Sequence, residues 1–225
     1  MAEDVRTRYA KLLSRGEGTE RIQFFSDAVF AIAMTLLVLE IRLPETGSET
    51  GSDLTWGDLA AIWPQVFAYA LSFSIIGINW VTHHRKFLVI TRFDGRLMVI
   101  NLILLGFVAL LPFPTSVLAD YGNVTPVVVL YAFNVGVITV LQLWLWVHAY
   151  RSGLTDGLDD GVYRLVRRNL LPVPVVMGVS IVVAFFAPLV AMFLWVLIWP
   201  LSIVTNRLPL RDASATPKPA RRSRG

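Results

Sequence analysis

At 225 residues, 55% hydrophobic and 16% charged, with a mean hydropathy of +0.61, the chain is too apolar for an ordinary water-soluble domain. It has no cysteine, which excludes a disulfide framework, a thiolate metal site and a cysteine nucleophile. A net charge of +4 and a pI near 9.7 would raise nucleic acid as a partner for a soluble chain. Here the Lys and Arg residues gather between apolar runs, so a membrane accounts for them and no nucleic-acid partner is expected.

The first twenty residues carry Arg6, Arg8, Lys11 and Arg15, and the apolar run that follows is too long for a signal-peptide core, so no cleavable leader is expected. Apolar runs long enough to cross a bilayer, which takes about 20 helical residues, predict six membrane helices. They fall at 22–43, 59–82, 97–118, 126–147, 171–186 and 189–205. Residues 97–118, 127–147 and 173–203 are apolar nearly all round, as lipid-facing or mutually packed helices are. The fifth helix has two possible starts, because Arg164, Arg167 and Arg168 can reach headgroups from an extension back to Tyr163. One helix through 173–203 would far exceed a bilayer, and Ala187-Pro188 provides the break for a tight turn.

Basic residues set the orientation, since short Lys/Arg-rich loops stay in the cytoplasm. One side holds the N-terminal segment, then Arg85, Lys86, Arg92 and Arg96, then Arg151, Arg164, Arg167 and Arg168, and finally the basic tail. The other side holds Glu45, Glu49, Asp53, Asp58 and Asp120, with Arg42 as its one basic residue. The expected organisation is a cytoplasmic N-terminal segment (1–21), a six-helix membrane domain (22–206) and a basic, disordered cytoplasmic tail (207–225), in the plasma membrane with both termini cytoplasmic.

The first helix is the most unusual, because Asp27 lies inside it. An ionised residue at a helix centre costs roughly 2.5 to 3.5 kcal/mol on insertion scales and therefore has a partner or a function. Asp27 is either an interfacial residue held by its helix N-terminus, by Arg21 or by a histidine, or part of a functional site. At helical spacing Ala28, Ile32, Thr35 or Leu36, and Leu39 share a stripe, while Ala31 and Ala33 allow close helix approach. Such a stripe packs in a core, or, if several copies meet on an axis, forms apolar rings that dewet a narrow pore.

Arg21-x-x-x-Phe25-Ser26-Asp27 resembles the RxxxFSD signature of the transmembrane protein 175 family of potassium channels. Trp80-x-x-His83-His84, and Asn101 followed by Leu111-Pro112-Phe113-Pro114-Thr115, are similar to prokaryotic members. The likeness covers the first three helices closely and the last three in number, length and hydropathy. It implies an all-α, six-helix channel unit, one per chain, assembling as a homotetramer around four first helices without a re-entrant filter loop. It places the constricting isoleucine at Ile32, with Thr35 or Leu36 and Leu39 as the next pore-facing turns. It implies that Arg21, Phe25, Ser26 and Asp27 tie the first helix to its neighbours, with Trp80, His83 and His84 as partners. Adjacent histidines diverge by about 100° on a helix, so only one is expected to meet Asp27.

Other constellations point away from catalysis. No HExxH accompanies the three histidines, and no GxSxG elbow accompanies Ser26-Asp27. Asp156, Asp159 and Asp160 lack the spacing of a calcium loop. Glu40 either forms an outer ring of carboxylates that concentrates cations or pairs with Arg42. Trp56, Trp63, Tyr121, Trp144, Trp146, Tyr150 and Trp199 sit near span ends, as interfacial anchors do. The expected function is passive, potassium-selective conduction in a lipid bilayer through an apolar constriction, with no cofactor, no resident metal and no enzymatic activity. The alternative is a proton-coupled secondary transporter using Asp27 with His83 or His84 as a relay.

Overall fold

The computed structural model describes residues 17–43, 55–122 and 124–196, and every regular element among them is helical. The tail, the second half of the sixth predicted span, and Glu45, Glu49 and Asp53 lie outside the described residues. The elements are α1 (Glu17–Leu36), continued by a 3-10 turn (Leu37–Glu40), then α2 (Trp56–Ala61), α3 (Trp63–Phe87), α4 (Gly95–Leu110) and α5 (Pro112–Tyr121). There follow α6 (Thr125–Arg151), α7 (Asp160–Leu170), α8 (Pro172–Ala184) and α9 (Pro188–Val196).

Joined end to end, these give five runs long and apolar enough to cross a membrane among the described residues: Gly18–Glu40, Trp56–Phe87, Gly95–Tyr121, Thr125–Arg151 and Asp160–Ala184. A further helix opens at Pro188, after the turn expected at Ala187. The protein is therefore a multi-pass membrane protein, all-helical in its described residues. The fifth span takes the earlier of its two possible starts, and Asp159 caps it by accepting from the Gly161 amide at 2.7 Å.

Prolines set the interruptions that a hydropathy pattern does not show. Pro112 and Pro114 have no amide hydrogen to give the carbonyls of Val108 and Leu110, so the third span bends at Leu111. Val108 O accepts instead from the Leu111 amide at 3.2 Å, and the regular ladder resumes with Thr115 N to Leu111 O. Pro172 and Pro174 bend the fifth span at Leu171 in the same way. On the basic side, α6 ends at Gly153, whose φ of 64° suits a residue without Cβ, and Leu154 N closes on Ala149 O at 2.9 Å.

The long α6 is the central post, packed against α4, α5, α7, α8 and α9, while α1 packs against α3 and α4 at the other flank. In lipid the hydrophobic effect does not drive helices together, so close packing and interhelical hydrogen bonds must do so. Ser72 bonds both Thr115 (2.8 Å) and Tyr131 (2.9 Å), joining α3, α5 and α6. Tyr131 stacks on Trp195 of α9, whose indole donates to Ser180 of α8 at 2.6 Å. The two basic-side loops are also joined: the amides of Thr91 and Arg92 both donate to Leu154 O, and Arg92 reaches Asp156 at 2.9 Å.

Candidate pore helix and its anchoring network

Helical periodicity divides α1 into two faces. Ser26, Phe30, Ala33 and Leu37 are buried against the protomer. Ile32 and Leu39 stand 57% and 66% uncovered, and Phe25, Ala28, Thr35 and Leu36 share their uncovered face. The stripe read from the sequence is thus the side of α1 that its own chain leaves free. Thr35 donates its hydroxyl hydrogen to Ile32 O at 2.8 Å, so only oxygen lone pairs remain to face outward.

The opposite side of α1 is held by two separate polar chains. In the first, the Ser26 hydroxyl donates to Ile22 O at 2.8 Å, and Ser26 Oγ accepts from Asn101 Nδ2 at 3.0 Å. Asn101 Oδ1 in turn accepts from His83 Nε2 at 2.8 Å, which fixes the ring proton on Nε2. His83 lies between Phe30 and Phe87, and its Nδ1 has no partner among the described residues. Both Ser26 and His83 are wholly buried, so α1, α3 and α4 are joined in the dry interior.

In the second chain Trp80 Nε1 donates to Asp27 Oδ1 at 2.8 Å. His84 Nδ1 stands 3.6 Å from Asp27 Oδ2, beyond hydrogen-bond length, and accepts from Gln23 Nε2 at 3.1 Å. One histidine approaches Asp27 and the other turns to Asn101, as the divergence of neighbouring helical residues requires. Arg21 and Phe25 lie outside both chains. Arg21 is exposed and makes no ion pair with the described residues, and Phe25 points out beside Ile32. Glu40 has the Arg42 guanidinium 3.8 Å away, and the Arg42 amide donates to Gln65 Oε1 at 2.7 Å.

Several participants were not apparent from the sequence. Asn101 stood out only as part of a motif, not as the bridge between Ser26 and His83. Gln23 gave no signal. Lys86 is buried at the end of α3 and donates to Gln142 O at 2.9 Å and to the Gln142 side-chain oxygen. Gln142 Nε2 donates to Asn79 O at 3.2 Å. A glutamine inside the mainly apolar run 127–147 was the available clue. Among the described residues no group of three His, Asp or Glu side chains could hold a metal ion.

The family model described as "Endosomal/lysosomal potassium channel TMEM175" matches residues 21–112, which contain both polar chains. A potassium channel of Streptomyces collinus is 40% identical over 139 residues, covering 59% of this chain and 65% of that protein. A potassium channel of Chamaesiphon minutus is 45% identical over 103 residues, covering 46% and 50%. The chain thus spans less than two thirds of the length of these two relatives. The crystal structure of a lysosomal potassium-selective channel TMEM175 homolog from Chamaesiphon minutus superposes with a TM-score of 0.71 at 31% identity, covering 84% of this chain and 99% of that one. Signature, helix order and near-complete structural coverage agree: the chain belongs to the TMEM175 family.

Proposed function

We propose that the protein is a potassium-selective channel, a homotetramer in which four copies of α1 line a central pore constricted at Ile32. The observation that carries this reading is the division of α1. Gln23, Ser26 and Asp27 are turned to α3 and α4, while Ala28, Ile32, Thr35, Leu36 and Leu39 form a largely apolar face that the protomer leaves bare. Four such faces on an axis would exclude water by apolar rings, and selectivity would come from a narrow dry passage rather than a carbonyl filter. The potassium channels and potassium-selective homologue to which the chain is similar support the same ion.

On this reading the Ser26–Asn101–His83 and Asp27–Trp80 chains fix the rotation of α1, so that Ile32 meets the axis. On the same reading the protein lies in the plasma membrane with both termini cytoplasmic, an orientation that the distribution of Lys and Arg supports. A proton relay through Asp27 gains little support, because its hydrogen-bond donor is the Trp80 indole, which does not titrate, and His83 is engaged elsewhere.

The native chain has no cysteine, so single-cysteine variants carry no background. Ile32→Cys, Leu36→Cys and Leu39→Cys in liposomes should show potassium flux blocked by a charged methanethiosulfonate reagent, with Leu39 reacting fastest from its side. Val183→Cys on α8 should be unaffected. Equal block at Val183, or none along α1, would contradict pore lining by this helix.

A further inference from the structure

We propose that Arg164, Arg167 and Arg168 on α7 form a binding surface for the headgroup of an anionic phospholipid in the leaflet on the basic side of the bundle.

The three arginines fall within about 100° of one another on the helix at 3.6 residues per turn. All three are exposed, and none forms an ion pair with the described residues. The carboxylates that begin the same helix are already engaged: Asp159 accepts from the Gly161 amide at 2.7 Å, and Asp160 accepts from the Tyr150 hydroxyl. Three unpaired guanidinium groups therefore lie on one side of α7. Arg167 lies over the Tyr163 ring, 5.8 Å from its centroid, and Tyr163 stacks at 3.9 Å on Tyr150, so the basic face is backed by a rigid aromatic stack.

Depth points to lipid as the occupant. The apolar part of this span is α8 (Pro172–Ala184), and α7, which carries the arginines, continues from the bend at Leu171 on the basic side, where long arginine side chains reach the headgroup layer. Leu171, 42% uncovered, shares the arginine face at helical spacing on the membrane side of the cluster and offers apolar surface for acyl chains. Helix α7 packs on α6 and α8, on the flank away from α1, so its free face remains at the periphery of an assembly centred on α1. Guanidinium forks bind phosphate oxygens in pairs, and a net anionic lipid lacks the choline charge that would repel them.

Native mass spectrometry of the purified full chain, titrated with phosphatidylglycerol and with phosphatidylcholine, tests this without reference to conduction. The wild type should retain phosphatidylglycerol preferentially. R164Q/R167Q/R168Q should lose that preference by roughly tenfold or more, while the single variants R164Q and R168Q lose up to roughly fivefold and remain informative if the triple variant does not fold. R85Q/R96Q, which removes basic charge elsewhere on the same side, should keep the preference, and excess glycerol 3-phosphate should not displace the lipid. Equal retention of both lipids by the wild type, an unchanged preference in the arginine variants, an equal loss in R85Q/R96Q, or displacement by glycerol 3-phosphate would each overturn the proposal.

Discussion

The indole nitrogen of Trp80 donates to Asp27 Oδ1 at 2.8 Å, joining the second span to an acidic residue of the first. Hydrogen bonds between membrane helices contribute about 1–2 kcal/mol in model systems. Trp80→Phe should therefore lower stability by about that much, read as thermal unfolding in detergent. Asp27→Asn keeps an acceptor for the indole and should cost less than Asp27→Ala. Equal losses in the two Asp27 variants would mean that the indole bond is not what Asp27 contributes.

Ile32 stands on the bare face of α1, one turn beyond Ala28 and one before Leu36. Ile32→Asn should wet the constriction, raise conductance and weaken discrimination between potassium and sodium. Bi-ionic reversal potentials provide the check, and an unchanged value in a conducting variant would remove Ile32 from the selective step.

Lys86 is 2% exposed, and its ammonium bonds are to both oxygens of Gln142. Gln142→Leu removes one charge-assisted bond and should cost about 1.5–3 kcal/mol. Lys86→Met removes the buried charge as well, so Lys86→Met/Gln142→Leu should be less destabilised than the sum of the single variants. Additive losses in denaturation midpoints would show that the two residues are not coupled.

Asp94 caps α4, accepting from the Leu97 amide at 2.7 Å, and pairs with His148 at 2.9 Å. Partial burial pushes its carboxyl up, but the Leu97 amide, the His148 hydrogen bond and charge, and Arg96 together bring it below the ordinary 3.8. A carboxylate held below its unfolded value contributes stability that is fully present above that value and is lost as pH falls through the folded one. The stability advantage over Asp94→Asn should persist from neutral pH to about 4 and shrink below it. An advantage that stayed constant down to pH 3 would contradict the assignment.

Much of the fold was legible because a bilayer imposes length and apolarity directly on the sequence. The expected bounds of the first, third and fourth spans fall within about four residues of the observed helices, whereas the second runs on through Phe87 and the fifth begins at Asp160 rather than near 171. The bend at Leu111 was less visible: Pro112 and Pro114 sit inside an apolar run long enough to span a bilayer, and a missing amide leaves no mark on hydropathy. The bare stripe of α1 could be read from spacing alone. Which histidine serves Asp27 could not, since that depends on how α3 is rotated against α1. Asn101 and Gln142 were harder still, because each is an isolated polar residue whose partners lie on other helices, 18 to 75 residues away for Asn101.

The channel reading rests on ions moving passively through the assembled pore, and planar-bilayer recording of the purified protein under opposed potassium and sodium gradients addresses that most directly. The account predicts discrete unitary currents that reverse near the potassium equilibrium potential. Silent bilayers, together with proton-coupled uptake in matched liposomes, would contradict it and assign Asp27 and His84 to a transporter.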